Sequence, residues 1–267
     1  MLSSVSNLEP VDAKARSGAI AISLAFVGLC FALSAPFWYL RAHLPPRSTG
    51  MLLSVANMWC PAAAAILVRI LFRRGLSGLG LRLGKARWLV LALVLPALAG
   101  LVMFGAAWIF QIAPLDASKI HKLLAPSFIP LFFGVLAVCT IAALGEELGW
   151  RGLLVPELSR CMGYTKLAIV SGLIWTVWHL PLILFTDYHG SGPRWMSVVS
   201  FTVFVVASSF VHAWMRLVSG SVWVSALLHG ASNYFIQAFY PALTMRTPEG
   251  DAMLGEFGWC VPILSVV

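Results

Sequence analysis

The chain has 267 residues, 60% of them apolar and only 10% charged, where soluble globular chains carry about 25% charged residues. No soluble domain has interior enough to hide that much apolar surface, so the composition excludes a soluble protein and implies an integral membrane one. The formal charge of +8 would suit a nucleic-acid binder, but the basic residues sit in short clusters between apolar runs without interleaved aromatics. They read as topology determinants at a lipid surface, with no nucleic-acid partner.

Taken in chain order, the first candidate element is the uncharged run 18–40, 23 residues preceded by Lys14 and Arg16. It is too long for a signal-peptide apolar region and lacks a clear small-residue cleavage site, which predicts a retained first span behind a short tail over 1–17. Further runs at 50–68, 88–112, 124–145 with an extension, 167–186, 195–215 and 219–243 each approach the roughly 20 residues that a 30 Å hydrocarbon core requires. Pro36, Pro61, Pro96, Pro130 and Pro181 fall inside them, where neighbouring helices can satisfy the freed backbone groups. The apolar tail 257–267 fits either a short eighth span or a re-entrant piece. No repeat, low-complexity tract or long linker divides the chain. The expectation is therefore an all-α, polytopic bundle of seven to eight transmembrane helices, with 1–267 as a single integral-membrane domain.

With the N-terminus inside, the inner segments hold twelve of the Lys and Arg residues and the outer ones six, and the 69–87 segment contributes most of the bias. That predicts a cytoplasmic N-terminus, in the plasma membrane. The cysteines (Cys30, Cys60, Cys139, Cys161 and Cys260) are scattered, mostly in apolar runs, and form no C-x-x-C pair. They read as small buried apolar residues rather than a zinc or disulfide framework.

Charge inside a span is costly and calls for a partner or a job. "ALGEELGWRGLL", residues 142–153, places Glu146, Glu147 and Arg151 after a long uncharged run. Glu147 and Arg151 are four apart, hence on one helix face in the favourable order for an ion pair. Glu146 is rotated by about 100° and finds no local partner. These residues would be ordinary interface charges if the span ended at Gly145. However, "GLLVPEL" at 152–158 is again apolar, and a helix running to about 157 leaves Glu146 roughly 16 Å inside.

Two further stretches reach similar depth. In "WTVWHLP", residues 175–181, His179 sits about 18 Å into its span; taken alone it would be a hydrogen-bonded packing residue. In "LLHGASNYF", residues 227–235, His229 and Asn233 share one face roughly 15 to 21 Å in. Four expensive groups at a common depth on three helices point to one cavity. His212 and Asn57, by contrast, read as single helix–helix hydrogen-bonding groups, and His43, His121 and His189 fall in loops. No H-e-x-x-H, G-x-S-x-G or phosphate-cradling glycine loop is present.

A buried carboxylate beside an imidazole is a general base for water, and a second histidine with an amide can donate to a developing oxyanion. These parts suffice to hydrolyse a peptide bond without a covalent nucleophile. Glu146, His179 and His229 would equally serve as ligands for one divalent metal such as zinc, with water in the fourth position. In either version Glu147 and Arg151 would support the helix that carries Glu146.

"EELGWR", "WTVWHLP" and "HGASN", in that order on successive helices, resemble the CPBP intramembrane protease family, also called the Abi or CAAX-protease family and related to type II CAAX prenyl endopeptidases. The resemblance covers roughly 124–243, the catalytic core helices. It implies that Glu146 is the catalytic glutamate and His179 its partner in activating water. His229 and Asn233 would hold the oxyanion, with Glu147 and Arg151 structural. Trp175 stands where the family often has Phe. The family usually has eight spans, and its members include both glutamate and metal types. The leading expectation is thus an intramembrane endopeptidase acting on the cytoplasmic side upon a CAAX-type prenylated peptide or another membrane-associated substrate. The alternative is a non-catalytic immunity or scaffold protein of the same family. A proton or ion transporter is disfavoured by the lack of paired half-repeats with broken helices.

Overall fold

The computed structural model describes residues 13–44 and 46–259, and every extended regular element among them is a helix. In chain order these are α1 (Ala13–His43), α2 (Pro46–Met58), α3 (Cys60–Leu71), α4 (Ala86–Ile109), α5 (Phe128–Gly149) and α6 (Val155–Ser159). They continue with α7 (Tyr164–Phe185), α8 (Arg194–Ser219), α9 (Val222–Tyr234), α10 (Tyr240–Ala242) and α11 (Pro248–Met253). Six helical segments are long and apolar enough to cross a membrane: Ala13–His43, Gly50–Leu71, Ala86–Ile109, Phe128–Ser159, Tyr164–Phe185 and Arg194–Ser219. Apolar side chains such as Leu98, Val102, Ile129 and Val138 are exposed on α4 and α5, as a lipid-facing surface requires. The chain is an integral membrane protein built as an all-α bundle.

The six differ from the expected seven to eight. The run at 219–243 does stay helical from Val222 to Ala242, but Ser225, His229, Ser232, Asn233 and Gln237 make it more polar than the six. It can afford them because α9 packs against α4, α5 and α8 rather than facing lipid. The apolar tail expected to form or begin an eighth span lies outside the described residues from 260 onward, as do Cys260 and residues 1–12 of the N-terminal tail.

Two π turns interrupt the helices that carry the motifs. One spans Trp150–Leu154, starting three residues after Glu147, and the other Phe235–Phe239, starting two after Asn233. Each runs up to a proline, Pro156 and Pro241, which lacks an N–H and whose ring would clash with the carbonyl four residues back. Widening the preceding turn relieves that clash, and the adjacent motif is re-aimed relative to a regular helix.

Close approaches fix how these helices meet. A Cβ on Gly230 would lie 2.5 Å from Thr140 Cα, so α9 and α5 touch backbone to backbone beside His229. Gly145 does the same next to Glu146, where a Cβ would meet the Met58 carbonyl at 2.6 Å. Small residues at such points let membrane helices pack closely. Beneath, Trp150 packs edge-on between Phe26 and Trp178, at 5.4 and 5.8 Å, and the Trp178 indole donates to Ser34 Oγ at 2.8 Å.

The bundle has two chemically different ends. At one, Arg216 donates to the Arg151 carbonyl, Val222 N–H to that of Gly80, and Arg74 lies 3.8 Å from Glu157. At the other, Arg41 pairs with Asp187 at 2.6 Å, and the backbone of 243–245 bonds to Pro114 and Asp116.

Candidate active site

The helices converge on a cavity of about 240 Å³ whose lining includes Glu146, His179, His229 and Asn233. The structure therefore brings together on one wall system the four groups that the sequence places at a common depth. Glu147 and Arg151 stand behind that lining, at 0% and 1% exposure.

Glu146 is held by two indoles. Trp175 Nε1 donates to its Oε2 at 2.7 Å, and Trp150 Nε1 reaches the same oxygen at 3.4 Å. Charge-assisted donors of this kind replace the water that a carboxylate loses on burial. His179 Nδ1 lies 3.0 Å from the Trp175 carbonyl, one turn back. The carbonyl can only accept, so this contact fixes the tautomer and leaves Nε2 as the free acceptor.

Glu147 does more than meet Arg151. Its Oε1 accepts from Arg151 at 2.8 Å and also sits 3.0 Å from His229 Nδ1. His229 is thus oriented by Glu147, the second glutamate of the pair. A carboxylate on one ring nitrogen fixes imidazole orientation and tautomer, as it does for histidines in other sites. Asn233 accepts from Gln237 at 3.3 Å through its Oδ1, which leaves its amide N–H groups for another acceptor. The Arg151 guanidinium lies 4.2 Å over the Trp175 ring, so the ion pair also braces the indole that holds Glu146.

Several contributors escaped the sequence reading. His212 lines the same cavity, with its ring 5.8 Å from Trp175 and 6.1 Å from His229. Its Nδ1 contacts the Ser208 carbonyl at 2.9 Å, and its Nε2 is buried without a hydrogen-bond partner. Asn57 reaches the cavity from α2 with its side-chain oxygen likewise unpartnered. Neither residue sits in a motif; only their intramembrane polarity marked them. Trp175 was legible as an aromatic, but its N–H as the main anchor of Glu146 was not.

The rim is equally informative. Arg41, Tyr188 and Glu256 line the outer part of the cavity. The segment after α11 folds across it, where Phe257 stacks on Phe201 at 5.6 Å and meets Tyr188 edge-on at 5.0 Å. Gln237 donates to Glu256 at 3.0 Å. Among the described residues no three His, Cys, Asp or Glu side chains are arranged to hold a metal ion. Glu146, His179 and His229 thus share a cavity without forming a ligand set in this arrangement.

A buried carboxylate, imidazoles with fixed tautomers and an orienting ion pair define a membrane-embedded site equipped for acid–base chemistry. Residues 127–235 match the family model described as type II CAAX prenyl endopeptidase Rce1-like. One stretch of 57 residues is 42% identical to the "CAAX prenyl protease 2" of Methanococcus maripaludis, covering 21% of this chain and 21% of that protein. The chain thus matches about a fifth of the length of that curated relative. The resemblance read from the three motifs is borne out over the helices that carry them, since the family model is matched across residues 127–235.

Proposed function

We propose that the protein is an intramembrane endopeptidase that hydrolyses a peptide bond with water activated by Glu146. The observation that carries this reading is the carboxylate of Glu146, anchored through Oε2 by Trp175 in a cavity also lined by His179, His229 and Asn233. Because both indoles land on Oε2, Oε1 keeps its lone pairs for a water. His179 Nε2 accepts the second hydrogen of that water and aligns it. Glu146 takes one proton as the oxygen attacks the peptide carbonyl, and the negative charge moves onto the carbonyl oxygen. The Asn233 amide donates to that oxyanion, and His229 donates through Nε2 when the Glu147 carboxylate on Nδ1 holds the ring as the doubly protonated imidazolium. Glu146 then passes its proton to the departing nitrogen, the C–N bond breaks, and a carboxylic acid and an amine result.

The substrate is a membrane-associated peptide, and the family match makes a prenylated C-terminal peptide one candidate. Glu146→Gln, which keeps shape and hydrogen bonding but removes the base, should abolish cleavage while the protein stays folded in membranes. Unchanged cleavage would sink the proposal. Chelators should leave activity intact; loss on chelation with recovery by added zinc would replace the direct glutamate mechanism by a metal-assisted one. A non-catalytic scaffold would instead show Glu146→Gln losing expression or partner binding with no product to lose.

A further inference from the structure

We infer that Gln237 and Glu256 are positioning residues for the oxyanion donor, so that the turn after α11 completes the site by holding the Asn233 amide the right way round. The inference rests on the endopeptidase reading for the role of Asn233, and on the hydrogen bonds at the covered end of the cavity for the rest.

An asparagine amide carries two opposite chemistries on nearly one shape. Turning it over exchanges an N–H donor pair for a carbonyl acceptor. With its N–H groups toward the reacting carbonyl, Asn233 meets a developing oxyanion; turned over, it would set its own oxygen against that charge. Shape does not choose between the two, so a neighbour must.

That neighbour is Gln237, four residues on, in the π turn Phe235–Phe239. Its Nε2 donates to Asn233 Oδ1 at 3.3 Å and, through its other hydrogen, to Glu256 Oε2 at 3.0 Å. The first contact is an ordinary i,i+4 pair of a helix. Gln237 is also exposed, so bonding rather than packing sets its side chain, and it is itself an amide that can turn over. Glu256 removes that freedom. An ionised carboxylate only accepts, so it draws the N–H end of Gln237, and that end in turn holds Asn233 by its oxygen.

Packing brings Glu256 to this place from 19 residues further along the chain. The adjacent Phe257 stacks on Phe201 and meets Tyr188 edge-on. Gly190 makes room for it, since a Cβ there would come within 3.0 Å of Phe257 Cβ. Asn233, Gln237 and Glu256 all line the cavity that holds Glu146. The turn after α11 is therefore wired to the oxyanion donor as well as lying over the cavity.

The test reads the Asn233 amide directly. Asn7, Asn57 and Asn233 are the asparagines of the chain. Isotope-labelled asparagine in the full chain in detergent micelles thus gives few side-chain amide signals by NMR, and Asn233→Ala assigns the relevant one. That signal should move in Glu256→Ala and stay near its parent position in Glu256→Gln, whose side-chain oxygen still accepts. It should stop responding to Glu256→Ala once Gln237→Met is in place. A signal indifferent to Glu256→Ala, or equally responsive in both backgrounds, would overturn the inference. For turnover the probe is a fluorogenic peptide ending in a farnesylated CAAX sequence. Gln237→Met should lower kcat about three- to tenfold with KM little changed, the loss that one neutral hydrogen bond supports. In Asn233→Ala the same substitution should lower kcat no further, and an equal fall there would overturn the positioning role. The NMR readout needs no catalysis. The expected shifts in a chain whose membranes show no Glu146-dependent product would reject the protease reading and leave the amide relay standing.

Discussion

Glu147 holds two donors on one oxygen, and this makes it the residue on which the site's geometry hangs. Arg151→Met would leave that carboxylate buried with its cationic partner gone, at a cost of about 3–5 kcal/mol. Chemical unfolding in detergent micelles should register the loss together with a drop in activity. Trp175→Phe is the sharper residue-scale test, because it keeps the ring under Arg151 but removes the N–H that anchors Glu146. A hydrogen bond to a charged group contributes about 1.5–3 kcal/mol, so cleavage should fall roughly ten- to hundredfold with the melting behaviour little changed. Full activity in Trp175→Phe would show that the indole only fills space. The sequence displayed the Glu147–Arg151 pair because i,i+4 spacing is a local property of one helix. It could not display the bond from His229 to Glu147, which joins residues 82 positions apart and depends on where two helices touch.

The elements were legible where apolar length decides and illegible where packing does. Runs of uncharged residues mark α1, α4, α5, α7 and α8, since hydrocarbon thickness sets their length. The inward-facing α9 was foreseen as one more span, yet its polar face answers to neighbouring helices and not to lipid. The π turns went unread, although Pro156 and Pro241 carry the signal in retrospect. The same packing makes α9 sensitive to side-chain size. In Gly230→Val the new Cβ would need the space of Thr140 Cα, forcing α5 and α9 apart. Overpacking of this kind costs typically about 1–3 kcal/mol, and it would shift His229 from Glu147. The expected outcome is a lower unfolding midpoint and little cleavage, while Gly105→Ala, where a Cβ meets nothing within 4 Å, should behave as the parent.

At the scale of the whole molecule, the turn after α11 closes over the outer part of the cavity and brings Glu256 to its rim. Burial pushes the Glu256 carboxyl up from its ordinary 4.5 to about 7, partly offset by the Tyr188 hydroxyl and by His229, with the nearby Glu146 adding to the rise. Because the docked state holds the proton more tightly than the undocked one, docking is strongest below about pH 4.5 and weakens as pH climbs through 7. Hydrogen exchange over 254–259 should therefore quicken across that window beyond its intrinsic pH dependence, and Glu256→Gln should remove the excess. A chain segment returning from so far along the sequence to cover the mouth left no periodic signal in 248–259, which is why the cavity's rim, unlike its floor, had to be seen.

The most direct measurement of whether Glu146 drives peptide cleavage in the membrane compares membrane peptides from cells carrying the parent chain with those carrying Glu146→Gln at equal levels. A set of cleavage products should accumulate only with the parent chain. Identical peptide profiles, with both proteins folded and equally abundant in the membrane, would contradict it.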